Sequence, residues 1–322
     1  MLLEIRDLAK SYRRGPRAND GISLEAAEGE VFGLLGHNGA GKTTLVNQIV
    51  GLLKPDAGTI RIDGRDVVAD PGLARRLASL QPQAQVPISG LTPRQAIDLI
   101  GRLRGVAVAE VRTRTERFVA AMDIGEWLDT DGARLSGGVK RLTSFCMAAV
   151  APGRLVILDE PTNDVDPVRR RLLWAQIRAI AAEGVAVLLV THNVLEAERS
   201  VDRLAILDRG RVLADGTPAG LKSSVAEELR LELVLEPGAT LTEVPTFIRR
   251  RATTGTRVLA AVDSSRAEEA VKWAESLRVT GRVEEFGLAP ASLEDVYVEL
   301  VGRADALREG APEREVTDVR AA

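Results

Sequence analysis

Cysteine and histidine are scarce in this chain. Its 322 residues include one cysteine, Cys146, and two histidines. A single cysteine cannot form an internal disulfide, and no Cys/His cluster has the spacing of a zinc site. These absences exclude a disulfide-stapled secreted domain and a zinc module, and they favour the reducing environment of the cytosol.

A basic excess and long apolar runs are also missing. The formal net charge is −3, so the composition does not predict nucleic-acid binding. The longest apolar runs, such as VAVLLV at 185–190, are far shorter than the roughly 20 residues that span a bilayer. The opening MLLEIRDLAKSY carries charges where a signal peptide needs an apolar stretch. We therefore expect a chain that has no membrane span but can dock on a membrane protein.

Apolar runs of strand length alternate with helical patterns in the first two thirds of the chain. The run VFGLLG leads into a glycine-rich loop, and TTLVNQIVGLL follows with helical spacing. LVILDEP (155–161) and VAVLLVTH (185–192) are continuous apolar runs, typical of parallel strands covered on both faces. The amphipathic segment VRRRLLWAQIRAIAAEG lies between them. This alternation predicts an α/β fold with a doubly wound core.

Two changes of pattern indicate the domain organisation. Residues 86–150 have helical periodicity and little strand propensity, so we expect a helical subdomain inserted into a first domain of residues 1–222. Residues 223–303 are expected to form a small α+β domain, with strands in ELRLELVLEPG and TRVLAAVD and helices in SSRAEEAVKWAESL and ASLEDVYVELVG. Residues 304–322 are polar and aperiodic, and we expect a disordered tail.

A phosphate-binding motif follows the run VFGLLG. Gly36, Gly41, Lys42 and Thr43 fit the pattern G-x-x-x-x-G-K-[ST] between a predicted strand and a predicted helix. The glycines let backbone N–H groups point at phosphates, the lysine reaches the β- and γ-phosphates, and the threonine hydroxyl can bind Mg²⁺. The predicted nucleotide-binding loop comprises Gly36, His37, Asn38, Gly39, Ala40, Gly41, Lys42, Thr43 and Thr44.

Two carboxylates end the run LVILDEP, at the carboxyl end of a predicted buried strand. Asp159 is expected to hold Mg²⁺, directly or through water. Glu160 is expected to act as a general base toward the attacking water. Alone, such a pair also fits a solvated strand end. Together with the glycine-rich loop it indicates a nucleoside triphosphatase.

A second glycine-rich segment, RLSGGVKRL at 134–142, decides between classes of phosphate-binding protein. Ser136 is a suitable helix N-cap, and Gly137 and Gly138 allow close approach of a phosphate. Kinases and GTPases do not need a second anion site of this kind. With the loop and the acidic pair in this order, residues 1–225 resemble the ABC-type ATPases. In that family the LSGGQ segment of one subunit completes the nucleotide site of its partner.

The resemblance implies further site residues. Tyr12 stands where the family places an aromatic side chain against adenine, although a tyrosine packed on the core is also possible from the sequence. Gln83 matches the glutamine that senses Mg²⁺ and links the site to the helical subdomain. Gln81 and Gln85 lie close by, so this assignment depends on spacing.

Two more roles follow from the same resemblance. Asp166, in NDVDP at 163–167, corresponds to the acidic position of the loop that meets the opposite subunit. His192 follows the apolar run 185–190, where the family has a histidine near the γ-phosphate. Catalysis is thus expected to depend on Glu160, His192 and Gln83, and Mg²⁺ binding on Thr43, Gln83 and Asp159.

Three positions depart from the family pattern. His37 replaces the common proline, and its side chain is expected to face outward. Val139 replaces the glutamine of LSGGQ. Asp164 replaces the usual glycine of the dimer-contact loop and adds a negative charge. None of these positions is itself expected to carry out hydrolysis, but together they leave the rate of turnover open.

The resemblance also implies a cellular function. THNVLEAERSVDRLAILDRGRVLADGTPAGLK and ASLEDVYVELVGR are similar to the daunorubicin-type drug-resistance exporters of the ABC-2 class. This implies an ATP- and Mg²⁺-dependent subunit that forms a homodimer and drives a separate polytopic permease at the cytoplasmic face of the plasma membrane. A drug, an antibiotic or a lipid-like molecule would be its substrate. The alternative is an ABC ATPase that acts on DNA or ribosomes, or regulates without transport.

Overall fold

The computed structural model describes residues 1–13, 15–223, 228–241 and 244–309. The chain divides into two compact units, Met1–Gly216 and a second unit that begins at Thr217. The boundary expected after residue 222 falls a few residues beyond this division.

The first unit contains two sheets and the helices around them. Its strands are β1 (Leu3–Ser11), β2 (Arg17–Ala26), β3 (Val31–Leu35), β4 (Ala57–Ile62), β5 (Arg65–Asp66), β6 (Ala78–Gln81), β7 (Leu155–Asp159), β8 (Ala186–Thr191), β9 (Arg203–Asp208) and β10 (Arg211–Gly216). Its helices are α1 (Lys42–Ile49), α2 (Pro71–Leu77), α3 (Pro93–Leu103), α4 (Val108–Ala121), α5 (Gly137–Ala149), α6 (Pro167–Ala182) and α7 (Val194–Ser200), with 3₁₀ turns at Gly125–Trp127 and Gly132–Arg134.

A six-stranded sheet in the order β10-β9-β3-β8-β7-β6 forms the centre of this unit. All of its neighbouring pairs are parallel except β10–β9. Every residue of β3, β7 and β8 is buried, which explains why these strands are uninterrupted apolar runs. Because Leu35 pairs with Thr191 and Asp159 with Val190, three strands end side by side at one edge.

An antiparallel sheet, β2-β1-β4-β5, shares one hydrophobic core with α1 and the central sheet. Ile5 of β1, Leu45 of α1 and Ile157 of β7 are all fully buried in that core. Packing on both sides therefore fixes the direction in which α1 leaves the end of β3.

Helices α3, α4 and α5 occupy residues 86–150. Helix α3 begins with a capping box between Thr92 and Gln95, which satisfies two of the backbone N–H groups that a helix start leaves unpaired. The rings of Phe118 on α4 and Phe145 on α5 meet edge to face with centroids 6.0 Å apart. This contact helps to hold α5, whose first turn carries the LSGG segment.

The second unit is a four-stranded antiparallel sheet with helices. Its elements are α8 (Pro218–Ser223), β11 (Glu228–Leu235), β12 (Ile248–Thr254), β13 (Arg257–Asp263), a 3₁₀ turn (Ser264–Arg266), α9 (Ala267–Val279), β14 (Val283–Pro290) and α10 (Leu293–Glu309). The strand order is β12-β13-β11-β14. Ala270 and Ala274 of α9 pack on the face of the sheet that carries Leu231 and Leu233.

Helix α10 corrects one expectation. It continues to Glu309, so residues 304–309, predicted as the start of a disordered tail, are helical. The segment ADALRE consists of good helix formers apart from its aspartate, and its polarity alone was a poor guide. Residues 310–322 lie outside the described residues.

Candidate active site

The phosphate-binding loop connects β3 to α1, and its two outer glycines are required by close contacts. A Cβ atom on Gly36 would lie 2.4 Å from the carbonyl oxygen of Leu207. Gly41 has φ 106°, and a Cβ atom there would lie 2.2 Å from the carbonyl oxygen of Ala18. Since both separations are far below van der Waals contact, a side chain at either position would displace the loop.

The ammonium group of Lys42 lies over this loop. Its Nζ atom donates to the carbonyl oxygens of Gly36 at 2.5 Å and His37 at 3.1 Å. Burial lowers the pKa of Lys42, while Glu160 and Asp159 act in the opposite direction. A cation is therefore held between the loop carbonyls and two carboxylates.

One cavity brings together residues from distant parts of the chain. Its volume is about 310 Å³, and it is lined by Ala18, His37, Asn38, Gly39, Gly41, Lys42, Thr43, Thr44, Gln83, Asp159 and Glu160. Gly36 and Ala40 are buried within the loop itself. The loop, the acidic pair and one glutamine thus meet as the sequence predicts.

Asp159 is the last residue of β7 and is buried. Burial raises its pKa to about 6; Glu160 adds to this effect, and Lys42 and Arg141 oppose it. Two neighbouring carboxylates in a poorly solvated site repel one another. A bound cation would relieve that repulsion.

The donor set around the cavity fits Mg²⁺. Thr43, Gln83 and Asp159 all line it, and each has a side-chain oxygen, the ligand that this hard cation prefers. Mg²⁺ commonly takes only one or two protein ligands and completes its octahedron with water and substrate phosphates. These three residues are sufficient for such a site.

Glu160 lies just beyond β7 with a left-handed backbone, φ 51°. Such a conformation costs a non-glycine residue on the order of 1 kcal/mol or more and concentrates at functional sites. Its carboxylate accepts hydrogen bonds from His192 Nδ1 at 2.5 Å, from the His192 backbone N–H at 2.9 Å and from Thr191 Oγ1 at 3.2 Å. The end of β8 therefore fixes the orientation of this carboxylate.

Geometry distinguishes the three neighbouring glutamines. Gln81 is fully buried, and its amide donates to the carbonyl oxygen of Arg141 at 3.1 Å. The amide nitrogen of Gln85 would lie 3.2 Å from a Cβ atom on Gly137. Of the three, only Gln83 lines the cavity. The arrangement therefore favours Gln83, the residue predicted from spacing.

Comparisons with known proteins decide the family. A family model for ABC transporters matches residues 19–163. The daunorubicin/doxorubicin resistance ATP-binding protein DrrA of Streptomyces peucetius is 34% identical to this chain, over 93% of the chain and 92% of the relative. The chain belongs to the ABC transporter ATP-binding proteins. Nod factor export ATP-binding protein I of Paraburkholderia xenovorans (strain LB400) is 33% identical, over 94% of the chain and 97% of the relative.

Solved structures agree with this family. The structure of an ATP-binding subunit of an ABC transporter superposes with a TM-score of 0.66 at 30% identity, covering 70% of this chain and 93% of that one. A nucleotide-free ATP-binding cassette superposes with a TM-score of 0.59 at 22% identity, covering 67% and 91%, and shows the fold alone. The predicted α/β ATPase fold and the predicted ATPase class are confirmed. Among the described residues, no helix has both the length and the apolarity to cross a membrane.

In this ABC ATPase, the LSGG segment starts α5 away from the cavity. Ser136 is the N-cap, and its hydroxyl accepts from the backbone N–H of Val139 at 3.4 Å. A Cβ atom on Gly138 would lie 2.6 Å from the carbonyl oxygen of Asp164, whose φ is 65°. Asp164 thus occupies a left-handed position that glycine adopts most readily, which explains the glycine common in the family.

Arg141 is a residue that sequence reasoning missed. It is buried on α5, and its guanidinium donates to the carbonyl oxygens of Pro82 at 2.8 Å and Gln83 at 2.6 Å. Burial lowers its pKa, and three carboxylates, led by that of Asp164, oppose the shift. An arginine inside the otherwise largely apolar run VKRLTSFCMAAV was the available signal, because buried charges are normally retained only with partners.

The structure shows the exposure of two side chains whose surroundings the sequence left open. Tyr12 is 51% exposed, and its hydroxyl lies 3.4 Å from Thr44 Oγ1; the alternative of a tyrosine packed on the core is wrong. His37 is exposed, as expected, with 43% of its side chain accessible, and its Nε2 also lies 2.8 Å from the buried carboxylate of Asp208. The approach of β9 to the loop brings that carboxylate within reach.

Asp166 is the N-cap residue of α6. It caps the first turn of α6 by accepting from the backbone N–H groups of Val168 and Arg169, each at 3.0 Å. These bonds lower its pKa, as does the neighbouring guanidinium of Arg169. The guanidinium of Arg169 also lies 4.8 Å from the ring centroid of Trp127, which links the start of α6 to the helical subdomain.

Proposed function

We propose that this ABC ATPase drives export of a drug, an antibiotic or a lipid-like molecule through a separate polytopic permease of the ABC-2 class. The observation that carries the proposal is the convergence of Lys42, Asp159 and Glu160 on one cavity. Support for export comes from the relatives, since proteins named for drug resistance and for Nod factor export match nearly their full length.

Nucleotide binding is proposed to begin at the phosphate-binding loop. The backbone N–H groups at the start of α1 and the ammonium of Lys42 would hold the β- and γ-phosphates. Tyr12, exposed beside Thr44, would flank the adenine. Thr43, Gln83 and Asp159 would hold Mg²⁺, which would neutralise part of the phosphate charge.

Hydrolysis is proposed to depend on Glu160. Its carboxylate would accept a proton from the water that attacks the γ-phosphorus. His192, which donates to that carboxylate through both Nδ1 and its backbone N–H, would orient it and lie near the γ-phosphate. The bond between water oxygen and phosphorus forms as the bond to the β-phosphate oxygen breaks, giving ADP and phosphate.

A second copy of the chain is the proposed partner in closing the site. Ser136, Gly137 and Gly138 do not line the cavity of their own chain, and we propose that they bind the γ-phosphate held by the partner copy. Asp166, at the start of α6, would lie at the same contact. ATP would then stabilise a closed homodimer, and hydrolysis would reopen it.

The permease is proposed to dock on exposed apolar side chains of α3 and of the segment that follows α1. Leu52, Leu99 and Leu103 are 65%, 47% and 73% exposed. Hydrogen bonds from Arg75 and Arg104 to backbone carbonyls tie the end of α1 to α2 and the end of α3. Leu99 and Leu103 lie on α3 of the helical subdomain, so movement of that subdomain would displace a permease docked there at the cytoplasmic face of the membrane.

An affinity pull-down tests the proposal. Glu160→Gln would be captured with ATP from detergent-solubilised native membranes, and Lys42→Ala, expected not to hold ATP, would be the matched control. We expect a stoichiometric polytopic protein with Glu160→Gln and much less with the control.

A Leu99→Glu, Leu103→Glu double variant should lose the permease while retaining ATP binding. Recovery of soluble chains, ribosomes or DNA alone would overturn the exporter reading in favour of a non-transport ABC ATPase.

A further inference from the structure

The loop that connects β7 to α6, residues 160–166, contains two strained residues. Glu160 has φ 51° and Asp164 has φ 65°, left-handed values that glycine adopts far more readily than other residues. Such conformations persist where contacts from the surrounding structure hold them in place. The loop joins the proposed base Glu160 to Asp166, which is proposed to meet the partner copy. Whatever holds the loop therefore sets the position of one relative to the other.

Glu196, on α7, contacts the beginning of this loop. Its Oε2 atom accepts a hydrogen bond from the hydroxyl of Thr162 at 2.6 Å. Thr162 is 4% exposed, and the side chain of Glu196 is 13% exposed. A short hydrogen bond to a carboxylate with little access to water is among the stronger polar contacts in a protein. It fixes the residue two positions after Glu160.

The same carboxylate reaches the other end of the loop through an arginine. The Oε1 atom of Glu196 lies 3.5 Å from the Nε atom of Arg170, on α6, and both atoms are shielded from solvent. Another nitrogen of that guanidinium donates to the carbonyl oxygen of Val165 at 3.1 Å. Glu196 therefore holds Thr162 directly and Val165 through Arg170, on either side of the strained Asp164.

The start of α7 is itself attached to the carboxylate of Glu160. Thr191 Oγ1, which donates to Glu160 Oε2 at 3.2 Å, accepts from the backbone N–H of Asn193 at 2.9 Å. Asn193 is the N-cap of α7, and its side-chain oxygen accepts from the backbone N–H of Glu196 at 3.1 Å. With the bond from Thr162, these contacts close a ring of hydrogen-bonded groups that includes Glu160.

A role confined to α7 does not account for the position of this side chain. An acidic residue in the first turn of a helix stabilises that helix while remaining in water. The carboxylate of Glu196 is instead turned toward the loop, with one oxygen on Thr162 and the other beside Arg170. Removing a carboxylate from water costs free energy that its new contacts must offset. Those contacts are made to the loop and to α6.

We propose that Glu196 is a positioning residue for hydrolysis: it holds the loop 160–166 so that Glu160 and the part of the loop that meets the partner copy move together. Closing of the homodimer presses on the loop at Asp164 and Asp166, and the loop transmits that displacement to the base because Glu196 prevents it from bending in between. The contacts do not involve the phosphate-binding loop, so they leave ATP binding unchanged. The inference rests on the proposed function in taking Glu160 as the base.

A matched pair of variants at Thr162 tests the contact. Thr162→Val keeps the shape of the side chain but removes the hydroxyl, and Thr162→Ser keeps the hydroxyl but removes a methyl group. We expect turnover at saturating MgATP to fall about 10- to 100-fold in Thr162→Val, the size of a hydrogen bond to a charged group. Turnover of Thr162→Ser should stay within about threefold of wild type.

ATP affinity separates positioning from a general structural effect. Calorimetric titration with ATP in EDTA should give the same affinity for wild type, Thr162→Val and Thr162→Ser, because the loss in Thr162→Val is expected in the hydrolytic step alone. Equal turnover in the two variants would overturn the inference. So would a loss of affinity in Thr162→Val as large as its loss of turnover.

Glu196→Ala removes both contacts and should lower turnover at least as far as Thr162→Val. Adding Thr162→Val to Glu196→Ala should have little further effect, because residues that act through one hydrogen bond are not additive. Losses that multiply would show that the two residues act separately, against the inference. Glu183→Ala, at the exposed glutamate that ends α6, is the control for loss of a carboxylate and should match wild type. Thermal unfolding would show that each variant is folded.

Amide hydrogen exchange of residues 160–166, followed by mass spectrometry, is a readout that does not depend on nucleotide. We expect exchange in the ligand-free chain to rise about tenfold in Thr162→Val and Glu196→Ala but not in Thr162→Ser. Unchanged exchange in all three would contradict the inference. If wild type releases no phosphate but exchange rises as expected, the proposed ATP site has failed and the contact between α7 and the loop has not. If wild type hydrolyses ATP and Thr162→Val matches it, only the role of Glu196 has failed.

Discussion

The first turns of α1 and α5 have the same local structure. Each follows a glycine-containing segment, and each presents backbone N–H groups at a helix start, where anions are favoured. The turn at α1 shares a cavity with Lys42 and Asp159, so cation and metal ligand come from its own chain. The turn at α5 is capped by its own Ser136 and packs against Asp164. The first has its charged partners within one chain, whereas the second is proposed to bind a phosphate held by another copy.

The largest expected effect separates chemistry from binding at the α1 site. Glu160→Gln keeps the shape of the side chain but removes the base, so turnover should fall by about 10²- to 10⁴-fold. ATP affinity should stay within about threefold of wild type, because neutralising a carboxylate beside the phosphates does not weaken their binding. Phosphate release at saturating MgATP measures the change. Glu183→Gln, at an exposed acid that ends α6, is the control and should be unaffected.

Substituting one glycine at each helix start tests the comparison directly. Gly41→Ala places a methyl group 2.2 Å from a carbonyl oxygen, and Gly138→Ala places one 2.6 Å from another. With about 2–3 kcal/mol of strain at each site, Gly41→Ala should weaken ATP binding by about 100-fold. Gly138→Ala should leave binding to the dilute chain intact but reduce turnover by a similar factor. Equal loss of ATP binding in both variants would show that the two sites do not divide the work in this way.

Arg141→Gln tests the connection between the two sites. Its guanidinium holds the backbone of Gln83 from α5, so the variant should need about tenfold more Mg²⁺ for half-maximal activity. Arg104→Gln is a matched control, since Arg104 is partly buried and likewise donates to backbone carbonyls, including that of Ala151 at 2.6 Å. The control should lower the unfolding midpoint without changing the Mg²⁺ requirement. A similar Mg²⁺ shift in both variants would reduce Arg141 to a structural role.

The raised pKa of Asp159 predicts an acid limit at the α1 site. Below its pKa of about 6 the protonated group binds Mg²⁺ poorly, so Mg²⁺-dependent activity should fall as the pH drops through 6. The folded chain holds this proton at a pH where the unfolded chain has released it. The free energy of unfolding of the ligand-free chain should therefore fall as the pH rises from about 4 to about 6, and remain lower above pH 6. Asp159→Asn should therefore raise the free energy of unfolding at pH 7 by on the order of 1–3 kcal/mol. An unchanged unfolding midpoint would contradict this account.

The smallest expected effect concerns the α5 site. The Oδ2 atom of Asp164 would lie 3.2 Å from a Cβ atom on Gly137, so its charge opposes an approaching phosphate at this helix start. Asp164→Gly should raise turnover about threefold, and its backbone suits a residue at φ 65°. Asp164→Asn, which also tolerates that conformation, separates charge from backbone. If Asn matches wild type while Gly does not, the backbone is the cause.

The sequence points most directly to groups that lie on contiguous backbone. The loop 36–44 and the pair Asp159–Glu160 each follow a recognisable apolar strand, and Ser136 precedes a recognisable helix. The pattern of apolar and polar residues also predicted β11, β13, α9 and most of α10. Strands β12 and β14 lie at the two edges of the sheet and were missed because IRRRATT and VEEFGLAP contain charged residues, of which Arg249, Glu284 and Glu285 are exposed. Edge strands tolerate such residues, which hides the period of two.

The sequence by itself identified the segments that are suited to bind phosphate, because glycine, lysine and a helix start form such a motif within a few consecutive residues. Only the tertiary structure decided that Gln83 rather than its neighbours reaches the cavity, and that Arg141 holds it. It also decided that the His37 ring meets Asp208, which is 171 residues away along the chain. A sequence pattern records which face of a strand is buried, whereas a buried hydrogen bond depends on which distant strand ends meet when the sheet closes.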